Sequence, residues 1–106
     1  MFDHVIVGAG SAGCVLAARL TEDPDVRVLL LEAGPKDDAQ EVAIPAAFAS
    51  LFDTEREWGY RTEPQPEVDD RALFWPRGKM LGGSSSLNAM IYMRGNPLDY
   101  DGWAKR

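Results

Sequence analysis

With 106 residues, 45% hydrophobic and 26% charged, the chain has the length of one domain or part of one and the composition of an ordinary soluble globular protein. Its net charge of −6 argues against nucleic acid or an anionic membrane surface as a partner, because both select clustered Lys and Arg. A lone Cys14 and a lone His4 exclude an internal disulfide and a His- or Cys-rich metal cluster, and no apolar run approaches the ~18 residues of a membrane span.

Val5, Ile6 and Val7 form a β-branched run that stops at Gly8, the pattern of a strand buried on both faces. The run is too short for a signal-peptide core, so the expected compartment is cytoplasmic. Residues 11–22 read as a helix, with Ala12, Val15, Leu16 and Leu20 near one face and Arg19, Thr21 and Glu22 turned away. Among its small residues, Cys14 reads as a packed thiol. Asp23, Pro24 and Asp25 stop the helix. Residues 26–31 are nearly all apolar and predict a second strand, so strand, helix and strand make a right-handed parallel βαβ unit.

After Gly34 and Pro35 the texture changes. Residues 36–38 form a polar loop, residues 46–52 suit a short helix, and residues 58–62 look extended. Pro64 and Pro66 keep the next stretch out of a central strand, and Leu73, Phe74 and Trp75 fit a short edge strand. A glycine- and serine-rich loop then leads from Gly78 toward Asn88 and a further helix, which Ser84, Ser85 or Ser86 is placed to cap.

Two motifs carry chemistry. Gly8, Gly10 and Gly13 have the G-x-G-x-x-G spacing, and a strand before them and a helix after them give that spacing its meaning. Gly8 permits the turn, Gly10 removes a Cβ from the path of a pyrophosphate, and Gly13 lets helix pack on strand. The helix N-terminus adds N–H groups and a positive dipole end. Glu32 follows 19 positions after Gly13, at the end of the second strand. A carboxylate there accepts ribose hydroxyls and repels a 2′-phosphate, which disfavours NADP but leaves FAD and NAD both open. The second motif, Gly82-Gly83-Ser84, allows another close backbone approach. One nucleotide needs one phosphate loop, so a second loop suggests a longer ligand; an ordinary turn before a helix is the plainer alternative.

Residues 3–14, 31–34 and 77–96, together with Trp58-Gly59-Tyr60, Glu63-Pro64-Gln65 and residues 99–103, resemble the glucose–methanol–choline (GMC) oxidoreductases. These are FAD enzymes that oxidise alcohols, and the likeness is to their choline dehydrogenase and alcohol dehydrogenase branch. The resemblance implies that Gly8, Gly10, Ser11, Ala12 and Gly13 line the FAD pyrophosphate. It implies that Glu32 holds the adenosine ribose, with Ala33 and Trp58 beside the adenine. Leu81, Gly82, Gly83 and Ser84, then Asn88, Ala89, Met90 and Ile91, would run along the diphosphate and flavin. Some relatives attach flavin covalently to a histidine just before the Asn88 position; Leu87 stands here, so non-covalent FAD is expected.

The implied fold class is α/β, a Rossmann-like βαβ unit within an incomplete FAD-binding domain. It divides into the unit itself (1–34), a connecting segment (35–76) and a second flavin-contacting loop and helix (77–96). The substrate domain and catalytic histidine of the family have no counterpart, so no catalytic residue is expected here and the chain alone is expected to be inactive. The alcohol, as small-molecule substrate, would be bound by the missing domain. A freestanding non-catalytic nucleotide-binding module and a NAD-dependent dehydrogenase fragment are the alternatives.

Overall fold

A computed structural model describes residues 1–106. Strand β1 (His4–Val7), helix α1 (Ser11–Leu20) and strand β2 (Val28–Leu31) come first. The strands pair in parallel, His4 with Val28 through Val7 with Leu31, so the βαβ unit is present as expected. The helix ends at Leu20, where Thr21 turns its hydroxyl back to the Ala17 carbonyl at 2.8 Å. The second strand begins at Val28, two residues later than its apolar run, because the Val26 N–H is bound back to Asp23.

Burial departs from the sequence pattern. His4, Val5 and Val7 are exposed rather than covered on both faces, since β1 has one neighbouring strand and the sheet has only two. Val15 and Leu16 of α1 are exposed as well, and the helix meets the sheet through Gly13 instead. A Cβ on Gly13 would stand 1.9 Å from the Gly8 carbonyl oxygen and 3.4 Å from Ile6 Cγ2. Glycine makes that approach possible.

The densest packing lies beyond the sheet. Leu51, Met80 and Leu87 are buried together, with Val42 and Phe52 against them. Helix α2 (Gln40–Ala43) and a 3-10 segment (Pro45–Leu51) supply one side of this cluster. The expected helix over 46–52 is therefore a 3-10 helix, opened by Pro45 in its first turn. Phe48, Phe52 and Phe74 continue the packing edge to face, with centroids 5.8 Å apart at each step.

Residues 57–78 double back on themselves. Glu57 faces Gly78, Arg61 faces Phe74 and Gln65 faces Arg71 in isolated antiparallel bridges. A 3-10 turn (Pro66–Val68) followed by left-handed Asp69 and Asp70 makes the reversal. The extended segments expected at 58–62 and 73–75 are thus each other's partners. The helix expected after the second glycine loop does not form; only a 3-10 turn (Gly83–Ser85) is present there. Helix α3 (Pro97–Ala104) begins later, where the Asn96 side chain accepts the Leu98 N–H at 3.0 Å. No helix is long and apolar enough to cross a membrane.

Candidate functional site

The first glycine loop hangs from the end of β1. Gly8 N–H donates to the Leu31 carbonyl at 2.7 Å, and Cys14 N–H closes the first helical turn on Gly10 O at 2.9 Å. No side chain caps α1 at Gly10. Cys14 is exposed rather than packed, because it sits on the uncovered side of the helix; its thiol reaches the Ala9 carbonyl at 3.2 Å.

The second loop docks directly onto the first. Gly82 N–H donates to Ala9 O at 2.8 Å, and Gly10 and Gly82 form a parallel bridge. Gly83 has φ +55, and a Cβ there would lie 2.9 Å from the Gly10 Cα. Left-handed backbone and close approach both demand glycine at 83. The serines do not cap a helix. Ser84 Oγ accepts the Gly78 N–H at 3.1 Å, while Ser85 and Ser86 donate back to Gly82 O and Leu81 O. Their hydroxyls knit the loop to itself, a local alternative to the helix that was expected.

Glu32 fastens the first loop to β2. Its Oε2 accepts the Ala9 N–H at 2.7 Å, and its Oε1 accepts those of Ala33 and Gly34, each at 3.0 Å. Partial burial pushes the carboxyl pKa up, but the amides of Gly34, Ala9 and Ala33 together outweigh it and hold the group below its ordinary 4.5. A carboxylate offers about four acceptor sites. Three are engaged, so room remains at Oε2 for one hydroxyl donor.

Between these loops lies a cleft of about 590 Å³. Gly8, Gly10, Glu32, Ala33, Trp58, Gly83 and Ser84 line it, seven of the residues singled out from the sequence. Ser11 and Ala12 are exposed on the first turn of α1, next to Gly10, and Gly13 is buried beneath them. Leu81 and Gly82 are half-buried where the loops join. Asn88 and Met90 are not brought to this cleft. They line a separate cavity of about 200 Å³ with Val42 and Leu51, while Ala89 is half-buried and Ile91 exposed.

Sequence reasoning missed Tyr60 and Arg77, which also line the cleft. Trp58 and Tyr60 stack nearly parallel, 5.7 Å between centroids and 7° between planes. The signal was legible, since residues two apart on an extended strand share a face. Lys79 Nζ sits 5.0 Å from the Trp58 ring centroid and the Arg77 guanidinium 5.1 Å from that of Trp75. Trp58 and Tyr60 therefore give the cleft an aromatic face, and Arg77 adds a cation to its lining. Such a cleft suits an anionic ligand carrying a flat ring.

Comparison with known proteins decides the family, because its GMC oxidoreductase profile matches residues 2–106. The chain belongs to the GMC oxidoreductases. The mitochondrial choline dehydrogenase of Mus musculus is 58% identical over 110 residues, covering 96% of this GMC chain and 18% of its own length. The alcohol dehydrogenase [acceptor] of Pseudomonas putida is 55% identical over 104 residues, covering 97% and 19%. Among solved structures, pyridoxine 4-oxidase from Mesorbium loti superposes with a TM-score of 0.85 at 51% identity, over 99% of this chain and 21% of its own. Formate oxidase of Aspergillus oryzae, studied for modification of its FAD, gives 0.80 at 40% identity, over 96% and 18%. The chain spans about a fifth of the length of the relatives it matches. The expected fold class and branch are borne out.

Proposed function

We propose that residues 1–106 are the FAD-binding part of a GMC enzyme acting on alcohol CH–OH groups. The carrying observation is the junction of the two glycine loops, Gly82 on Ala9 and Gly83 against Gly10, beside the Glu32 carboxylate. FAD fits this junction. Bare glycine backbone at Gly10 admits phosphate, one acceptor position at Glu32 admits a ribose hydroxyl, and the Trp58–Tyr60 stack offers a flat face. The Glu32 negative charge disfavours a 2′-phosphate in the same place.

When bound, FAD would supply an acceptor for the hydride of an alcohol carbon. The chain's own residues bind and orient. Of the side chains lining the cleft, Arg77 is cationic and the Glu32 carboxyl is held below its ordinary pKa by three amides, so neither is suited to take a hydroxyl proton. We accordingly assign no catalytic residue among residues 1–106 and place the alcohol, and its base, in a substrate domain outside them. The division into 1–34, 35–76 and 77–96 stands as part of this reading.

Leu87 supports non-covalent attachment. It has no nucleophilic atom and is buried with Leu51 and Met80 in the core cluster. The test is a comparative titration of the protein with FAD, NAD and NADP, followed by intrinsic tryptophan fluorescence. Tighter binding of FAD than NAD, with NADP weakest, is expected; equal or tighter binding of NAD would transfer the site to a NAD-dependent dehydrogenase.

A further inference from the structure

We propose that Asn88 is a positioning residue that holds Met90 in a left-handed backbone conformation and so aims the apolar segment 90–93. Three hydrogen bonds fix it. Its N–H donates to Ser84 O at 2.9 Å, its Nδ2 donates to Ser85 O at 3.1 Å, and its Oδ1 accepts the Met90 N–H at 2.6 Å. The carboxamide therefore has a partner inside the chain for its oxygen and for its nitrogen.

Met90 has φ +53. An L residue with a side chain enters that region reluctantly, because its Cβ crowds the carbonyl oxygen. The bond from Met90 N–H to the side chain two residues back is the compensation on offer, and Asn or Asp makes it more strongly than Ser or Thr. Asn satisfies both ends. An aspartate would accept the Met90 N–H equally well but would turn a second oxygen toward Ser85 O.

The turn at Met90 sets the course of an exposed apolar run. Met90, Ile91, Tyr92 and Met93 are 54%, 76%, 95% and 82% exposed, four consecutive large apolar side chains open to solvent. Ser84, at the other end of the Asn88 bonds, lines the cleft between the glycine loops. Asn88 thus links the cleft wall to the apolar segment, and the direction of that segment is set at Met90. The further step, that a misdirected segment weakens cofactor retention, rests on the proposed FAD binding.

The test uses the full-length native protein with Asn88→Ala, Asn88→Asp, Met90→Gly and the double variant Asn88→Ala/Met90→Gly. Hydrogen exchange of the residue 90 amide in cofactor-free protein should quicken roughly tenfold in Asn88→Ala, the scale of one lost hydrogen bond, and stay near wild type in Asn88→Asp. Flavin retention should fall in Asn88→Ala and recover in the double variant, because glycine adopts φ +53 without the clasp. Unchanged exchange in Asn88→Ala would overturn the clasp. No recovery in the double variant would overturn the positioning role and make Asn88 a direct cofactor contact. A wild-type protein that binds no flavin would sink the FAD reading alone, with amide exchange still deciding the clasp.

Discussion

Gly83 stands so close to Gly10 that a Cβ on Gly83 would lie 2.9 Å from the Gly10 Cα, whereas a Cβ on Gly10 would have its nearest neighbour at 4.0 Å. The asymmetry separates two roles. Gly83 is glycine for the protein's own packing, whereas Gly10 has free space beside it, which under the proposed function admits the cofactor. Gly83→Ala should destabilise the fold by about 1–3 kcal/mol through overpacking, with left-handed backbone strain added. Gly10→Ala should cost less than ~1 kcal/mol, the scale of a changed helix cap. Yet it should weaken FAD binding at least as strongly as Gly83→Ala. Denaturant unfolding of both variants, paired with flavin titration, reads the contrast directly.

Gly13 gives the opposite case to Gly10 within the same motif. A Cβ there would meet the Gly8 carbonyl oxygen at 1.9 Å, a backbone atom held by the β1–β2 pairing. Gly13→Ala should therefore loosen α1 from the sheet, at a cost of about 1–3 kcal/mol or more. Far-UV circular dichroism during thermal unfolding should show an earlier transition. Wild-type stability in this variant would contradict the described packing of α1 on β1.

Glu32 predicts a pH dependence. Its pKa in the folded chain is lowered below the ordinary 4.5 because three amides outweigh partial burial. A group depressed in this way stabilises the fold fully above its unfolded pKa, and the contribution is lost as pH falls through the lower, folded value. The stability difference between wild type and Glu32→Gln should be largest near neutral pH and shrink on acidification below 4.5. Glutamine retains an acceptor but presents an NH₂ to one of the amides that Glu32 accepts, so a loss of about 1–3 kcal/mol is expected at neutral pH. Urea unfolding across a pH series measures both quantities.

Leu87 carries two expectations. It is 3% exposed within a core cluster of three buried residues, so Leu87→Ala should cost about 2–5 kcal/mol. As a side chain without a nucleophile, it should also leave all flavin extractable. Acid precipitation of the protein purified from its native gene should release the flavin into the supernatant; yellow colour retained by the washed pellet would contradict this.

The sequence made the glycine-loop chemistry legible because that chemistry is local. Gly8, Gly10 and Gly13 act through backbone within one turn, and Glu32 sits at a strand end fixed by an apolar run. Burial was less legible, since the exposure of Val5, Val7 and Leu16 depends on which elements cover them rather than on periodicity. Both legs of the 57–78 arm were legible as extended segments, but their pairing was not, because its bridges are isolated rather than a continuous ladder. The start of α3 is written in the sequence, since Asn96 followed by Pro97 is a cap and a first-turn proline. Placement of Asn88 and Met90 outside the main cleft was not readable, because a methionine gives no sign that its backbone will be left-handed.

The proposed function rests on the two glycine loops forming one FAD seat, and the visible absorption spectrum of the protein purified from its native gene tests that most directly. A flavin spectrum is expected, lost in Gly10→Val while the folded state persists. A colourless wild-type protein that also fails to bind added FAD would contradict it.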